Sequence, residues 1–133
     1  TKITGWDSFT SGSGLKVAAQ TGTLQADIAN KLKDEGKVSS VSVLNQNTTA
    51  LQQLENGDVD AVLVDKPVAV DISASQGDKF KMVGDIKPDS ITDNGIAVKK
   101  GNKELLKKIN TGLKHVKENG TYDKLAKKWK IEQ

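Results

Sequence analysis

The 133-residue sequence contains no cysteine and no arginine, and only one histidine, two prolines and five aromatic residues. Without cysteine there are no disulfides, no thiolate metal sites and no cysteine nucleophile, an absence compatible with a cell-surface protein. Without arginine, the residue suited to bidentate contacts with phosphate and guanine, direct reading of a DNA sequence is disfavoured. The longest apolar run is Ala61-Val62-Leu63-Val64, far short of the about 20 apolar residues that span a bilayer. The lone His115 lies in a lysine-rich stretch with no nucleophile signature beside it, so no Ser-His-Asp or Cys-His arrangement is visible. There is no G-x-G-x-x-G and no Walker loop. Neither Asp58 with Asp60 nor Asp85 with Asp89 and Asp93 has EF-hand spacing, and solvated loops are the default for both sets. No catalytic pair, metal site or cofactor site is expected. The chain opens at Thr1 with no apolar leader, which reads as a processed or trimmed chain.

What is present is unevenly distributed. Residues 1–98 carry 9 Lys against 13 Asp and Glu, whereas residues 99–133 carry 11 Lys against 4. A basic tail can bind nucleic acid or anionic membrane. With lysine as its only strong base, this one reads instead as solvated helix faces, and no nucleic-acid partner is expected.

Strand and helix signals alternate along the chain. Residues 1–14 are rich in Ser, Thr and Gly and read as a connector, with Trp6 and Phe9 apolar enough to dock part of it on the body. Leu15–Gln20 reads as a strand that stops at Thr21-Gly22-Thr23. Leu24, Ile28 and Leu32 then form a helical stripe ending near Gly36. Val38 to Leu44 gives a second strand, Thr48 to Asn56 a helix stopped by Gly57, and Val59–Val64 a buried parallel strand. Pro67 suits the first turn of the next helix. Phe80–Val83 reads as a fourth strand and Gly95–Val98 as a fifth, after a polar loop containing Pro88. Leu105, Leu106, Ile109, Leu113 and Val116 line one long helix; Tyr122, Leu125, Ala126 and Trp129 line a shorter one beyond Gly120. The alternation predicts an α/β layered fold on a mainly parallel five-stranded sheet, plus C-terminal helices.

Two features could carry chemistry. In the turn Gln20-Thr21-Gly22-Thr23-Leu24-Gln25, Gly22 permits positive φ or close backbone approach, and Thr23 can cap the following helix. The helix start carries partial positive charge and can hold a carboxylate or phosphate; ordinary capping explains the turn equally well. Asp65 stands at the C-terminal end of Val59–Val64, at the same crevice as the Gly22 turn in a parallel sheet. It could pair with an ammonium group or cap the helix beginning at Lys66-Pro67, and capping alone would be a sufficient role.

Three segments resemble one family throughout, in order and spacing. VAAQTGTLQ (17–25) is similar to the "GT" turn of polar-amino-acid receptors of extracellular solute-binding protein family 3. ALQQLENGDVDAVLVDKPVA (50–69) resembles its helix, Gly turn and Asp-ended strand, and residues 94–130 resemble its closing signature. The resemblance implies a type II periplasmic-binding-protein fold, two lobes closing on an amino acid, and an amino-acid-binding component of an ABC importer, not an enzyme. On that pattern residues 1–14 are a connector and 15–94 the second lobe. Residues 95–133 are then a hinge strand and helices of the first lobe, most of which is absent. Carried over by position, Asp65 would accept from the ligand's α-ammonium. Thr23 and the Leu24 N–H would meet its α-carboxylate, and Gln20 and Gln25 would contact ligand. The neutral Gln20 leans toward a polar uncharged ligand such as glutamine. Expected partners are an amino acid and an ABC permease, at an extracytoplasmic location. The apolar stripe of the tail, lacking its lobe, would fold back, self-associate or swap between chains.

On the residues alone, a flavodoxin-like or receiver-type signalling domain is the rival. Asp65 could imitate a phosphoacceptor, but Leu15–Gln20 ends without the acids such a site needs.

Overall fold

A computed structural model of the chain describes residues 3–11, 14–86 and 95–129. It divides into two compact units, Thr1–Pro88 and Asp89–Gln133.

The first unit is built on a parallel sheet of β1 (Lys16–Gln20), β2 (Ser40–Leu44) and β3 (Ala61–Leu63), in the order β2-β1-β3. Lys16 pairs with Ser40 and Gln20 with Leu44 on one side of β1; Val17 pairs with Ala61 and Ala19 with Leu63 on the other. Parallel neighbours need crossovers, and helices supply them. These are α2 (Leu24–Asp34), between β1 and β2, and α3 (Asn47–Asn56), between β2 and β3. After β3 the chain enters α4 (Lys66–Ser75).

The alternation along β1 divides the core. Val17 and Ala19 point to one face, where they join Phe9, Leu15, Ala26, Ala29, Leu32, Val38 and Leu63. Ala18 points to the other and packs with Ala50 and Val59, flanked by Leu44, Leu54 and Val62. Val17, Ala18 and Ala19 are all completely buried, as the central strand of a sheet covered on both faces requires.

Helix ends follow the sequence signals. α2 closes with Gly36 at positive φ, its N–H on the Lys33 carbonyl and the Lys37 N–H on Leu32, a Schellman closure. Gly57 ends α3 in the left-handed region at φ 79°. Pro67 occupies the first turn of α4, where its missing N–H costs nothing. A short helix, α1 (Trp6–Phe9), precedes β1, and Phe9 is buried in the larger core cluster with Trp6 against it. Part of the Ser/Thr/Gly-rich lead is thus docked on the body, as its two aromatic residues predict; Gly12 and Ser13 lie outside the described residues.

The strand count departs from expectation. Among the described residues the sheet has three strands, not five. Phe80–Val83 forms no ladder; it and the residues up to Ile86 line, with β3, a cavity of about 660 Å³. That run instead abuts the lead: a Cβ added to Gly84 would lie 3.2 Å from the Gly5 Cα. Gly95–Val98 also forms no ladder and leaves Ile96 60% exposed. A strand needs a hydrogen-bonded neighbour, and the described secondary structure of the second unit is helical. The polar loop around Pro88, with Asp89 and Asp93, lies outside the described residues.

The second unit holds α5 (Lys103–Glu118) and α6 (Thr121–Lys128). The Asn102 side chain caps α5 by accepting from the Leu105 N–H at 3.1 Å. The expected cap for α6, Thr121, is its first helical residue, and Gly120 at φ 77° takes the N-cap position. None of the described residues of this unit is buried.

Candidate functional site

Because the three strands are parallel, their C-terminal ends share one edge of the sheet, and the loops leaving that edge carry the residues singled out above. The Thr21 N–H bonds the Leu44 carbonyl at 2.8 Å, extending the β1–β2 pairing by one step. Gln20, the last residue of β1, donates through Nε2 to the Asn45 carbonyl at 3.1 Å, tying the β1–α2 turn to the β2–α3 loop. Gly22 has φ 71°, the left-handed conformation that the turn demands. Thr23 caps α2: its Oγ1 accepts from the Ala26 N–H at 3.2 Å and donates to the Gln20 carbonyl at 2.6 Å. Leu24 and Gln25 open α2, at the end where N–H groups lack intrahelical acceptors.

Asp65 departs from its simplest role. It occupies the N-cap position of α4 in extended conformation, yet its side chain makes no capping hydrogen bond. The carboxylate reaches across to α2, where Oδ1 accepts from Gln25 Nε2 at 2.6 Å. This bond joins residues 40 positions apart, and it is possible because β1 and β3 are adjacent and in register.

Beside this bond lies a cavity of about 400 Å³, lined by Leu24, Gln25, Ile28, Asp65, Met82 and Asp85 among others. It brings together three of the five residues singled out from sequence; Gln20 and Thr23 are not in its wall. Asp85, for which the sequence made a solvated loop the default, is also in the wall. Considered with Asp89 and Asp93 for a cation, it forms an ion pair of 3.3 Å with Lys66 Nζ. Nothing in the spacing of residues 66 and 85 announces that pair, since a loop and a helix intervene. Asp60, considered with Asp58, is likewise committed, its Oδ2 accepting from the Lys16 N–H at 2.8 Å. The rim thus offers a helix start, a carboxylate with a neutral donor and, beside them, a mostly apolar hollow.

Comparison with known proteins gives this geometry a context. The bacterial extracellular solute-binding proteins, family 3, match residues 20–132. The chain belongs to this family.

Among relatives, the L-cystine-binding protein TcyJ of Escherichia coli is 30% identical over 87% of this chain and 42% of its own length. The glutamine-binding protein GlnH of an ABC transporter in Bacillus subtilis is 32% identical over 89% and 41%. An ancestral arginine-binding protein solved with bound arginine superposes with a TM-score of 0.72 at 36% identity, covering 92% of this chain and 52% of that one. The chain therefore spans about two-fifths of the length of these two relatives. Family 3 membership and the α/β neighbours carry the fold assignment and leave the receiver-type alternative without support. Among the described residues, no helix is long and apolar enough to cross a membrane.

Proposed function

We propose that this chain is the second ligand-binding lobe, with the closing C-terminal segment, of an extracytoplasmic amino-acid-binding protein that delivers its ligand to an ABC permease. It binds and releases without turnover. The observation that carries the reading is the Asp65 carboxylate, which is not spent on its own helix, bonds to Gln25 at the start of α2 and lines a cavity. The two ends of a free amino acid carry opposite charges. An ammonium group would meet Asp65, and an α-carboxylate would meet Thr23 and the Leu24 N–H. Gln20 would contact the remainder of the ligand, and Gln25 stands on Asp65. The relatives named above for glutamine, cystine and arginine keep the reading within polar amino acids, and glutamine is the first ligand to try.

A lone lobe offers one half of a closing clamp, and both Asp65 and Leu24 are exposed. Exposed ion pairs contribute only about 0–1 kcal/mol, so the dissociation constant should be about millimolar or weaker. Titrating L-glutamine into the ¹⁵N-labelled chain should shift the amides of Thr23–Gln25 and Asp65 together, and Asp65→Asn should remove the response. Shifts confined to the second unit, or a response that survives Asp65→Asn, would overturn the assignment.

A further inference from the structure

The hydrogen bond between Gln25 and Asp65 has an energetic peculiarity. Asp65 is exposed and Gln25 is half-buried, so water competes for the contact and it adds little to folding. The backbones on either side are nevertheless well fixed. α2 is held by the Thr23 cap and by buried Ala26 and Ala29, and β3 is locked to β1. An amide donor carries no charge: it occupies Oδ1 and chooses a rotamer, and it leaves the carboxylate negative with its second oxygen unused by this bond. The adjacent cation in sequence, Lys66, is engaged by Asp85 at 3.3 Å. The rim thus gives its charges an order. One acid takes the lysine, and the other is given a neutral partner.

We propose that Gln25 is a positioning residue that fixes the Asp65 side chain in one orientation without neutralising it, so that the carboxylate is poised for an incoming ammonium group. This rests on the function proposed above and goes beyond it, because Gln25 acts through Asp65 and not by touching the ligand. Fixing the rotamer before binding removes an ordering cost that would otherwise be charged against affinity.

The test uses the whole chain, two variants and two probes. L-Glutamine carries the α-ammonium; glutaramate has the same carboxylate and carboxamide without it. Gln25→Met keeps the length and removes the donor, whereas Gln25→Lys restores a donor but brings a positive charge. The three-bond couplings across the Asp65 χ1 torsion report its rotamer in the absence of any ligand. The expected result is a single Asp65 rotamer in the wild type and averaging in Gln25→Met. L-Glutamine binding should weaken about three- to tenfold, the cost of ordering one side chain on binding, with glutaramate unchanged. Gln25→Lys should lose more of the preference for L-glutamine than Gln25→Met. Averaged couplings already in the wild type would overturn the proposal even if L-glutamine binds. Equal losses for both probes would also overturn it, since Gln25 would then be a direct ligand contact. A fixed rotamer with no binding of either probe would overturn the proposed function and, with it, the positioning role of Gln25.

Discussion

At the scale of single residues, the sequence announces which groups are special more clearly than it announces their partners. Thr23 is legible as a cap because its signal is local: a hydroxyl, a glycine before it and an apolar stripe after it. Asp65 is legible as a group at a strand end, but not as one that ignores its own helix; the donor that diverts it stands 40 positions away and depends on strand order. Lys79 and Glu55 show the same limit, for nothing local links them. In the structure Lys79 Nζ lies 2.6 Å from Glu55 Oε1, and both side chains are about half exposed. That hydrogen bond first, then the Glu55 charge, and to a smaller degree Asp78, hold the Lys79 ammonium above its usual 10.5. A raised lysine pKa favours the folded state fully below the unfolded value, and the benefit is lost as pH climbs through the folded one. Solvent screening keeps this contribution small. Urea unfolding of wild type and Glu55→Gln, from neutral into alkaline pH, should show a gap in midpoint that closes above the lysine range. A gap that widens there would refute the coupling.

Elements were legible wherever period and punctuation agreed, and misread where a strand required a distant neighbour. β1, α2, β2, α3, β3 and α4 follow from apolar spacing and from Gly36, Gly57 and Pro67, which end or start them by backbone geometry alone. Phe80–Val83 has strand composition but no ladder, since pairing is settled by what lies alongside and not by the segment itself. α1 is the converse. Four residues in a polar lead would not hold a helix in isolation. Ser8 Oγ accepts from the Gly5 N–H at 3.1 Å, and Phe9 inserts beside Leu15, Val17 and Leu63 to pin the turn. Phe9→Ala should therefore cost about 3–5 kcal/mol, the range for a buried phenylalanine. That is a large share of a typical domain stability of about 5–15 kcal/mol. Denaturant titration followed by tryptophan fluorescence should show it, because Trp6 lies 5.8 Å from the Phe9 ring centre. A change below about 0.5 kcal/mol, the scale of an ordinary surface substitution, would mean that the lead is not part of the core.

For the molecule as a whole, the two units are unequal in how they bury themselves. The first has a core on both faces of its sheet. In the second, Leu105, Leu106, Leu113, Tyr122, Leu125 and Trp129 are each 38–54% exposed, although their spacing places them along the apolar stripes of α5 and α6. The stripe was legible in the sequence; its surroundings were not, because a helical period names a face and not what lies against it. Contiguous apolar surface of this kind is seldom left in water. Mutual repulsion among the lysines of α5 and α6 opposes association, but it is screened over about 8 Å at physiological ionic strength, whereas apolar burial is not. Self-association through this stripe is therefore the expected behaviour of the isolated chain, with exchange of the helical unit between copies as one form of it. Static light scattering should give a mass that rises above 14.2 kDa with concentration, and more steeply as salt is added. Leu113→Lys together with Trp129→Lys should return it to the monomer mass without altering the unfolding of the first unit. A concentration-independent monomer with protease-sensitive α5 and α6 would refute both association and helix exchange.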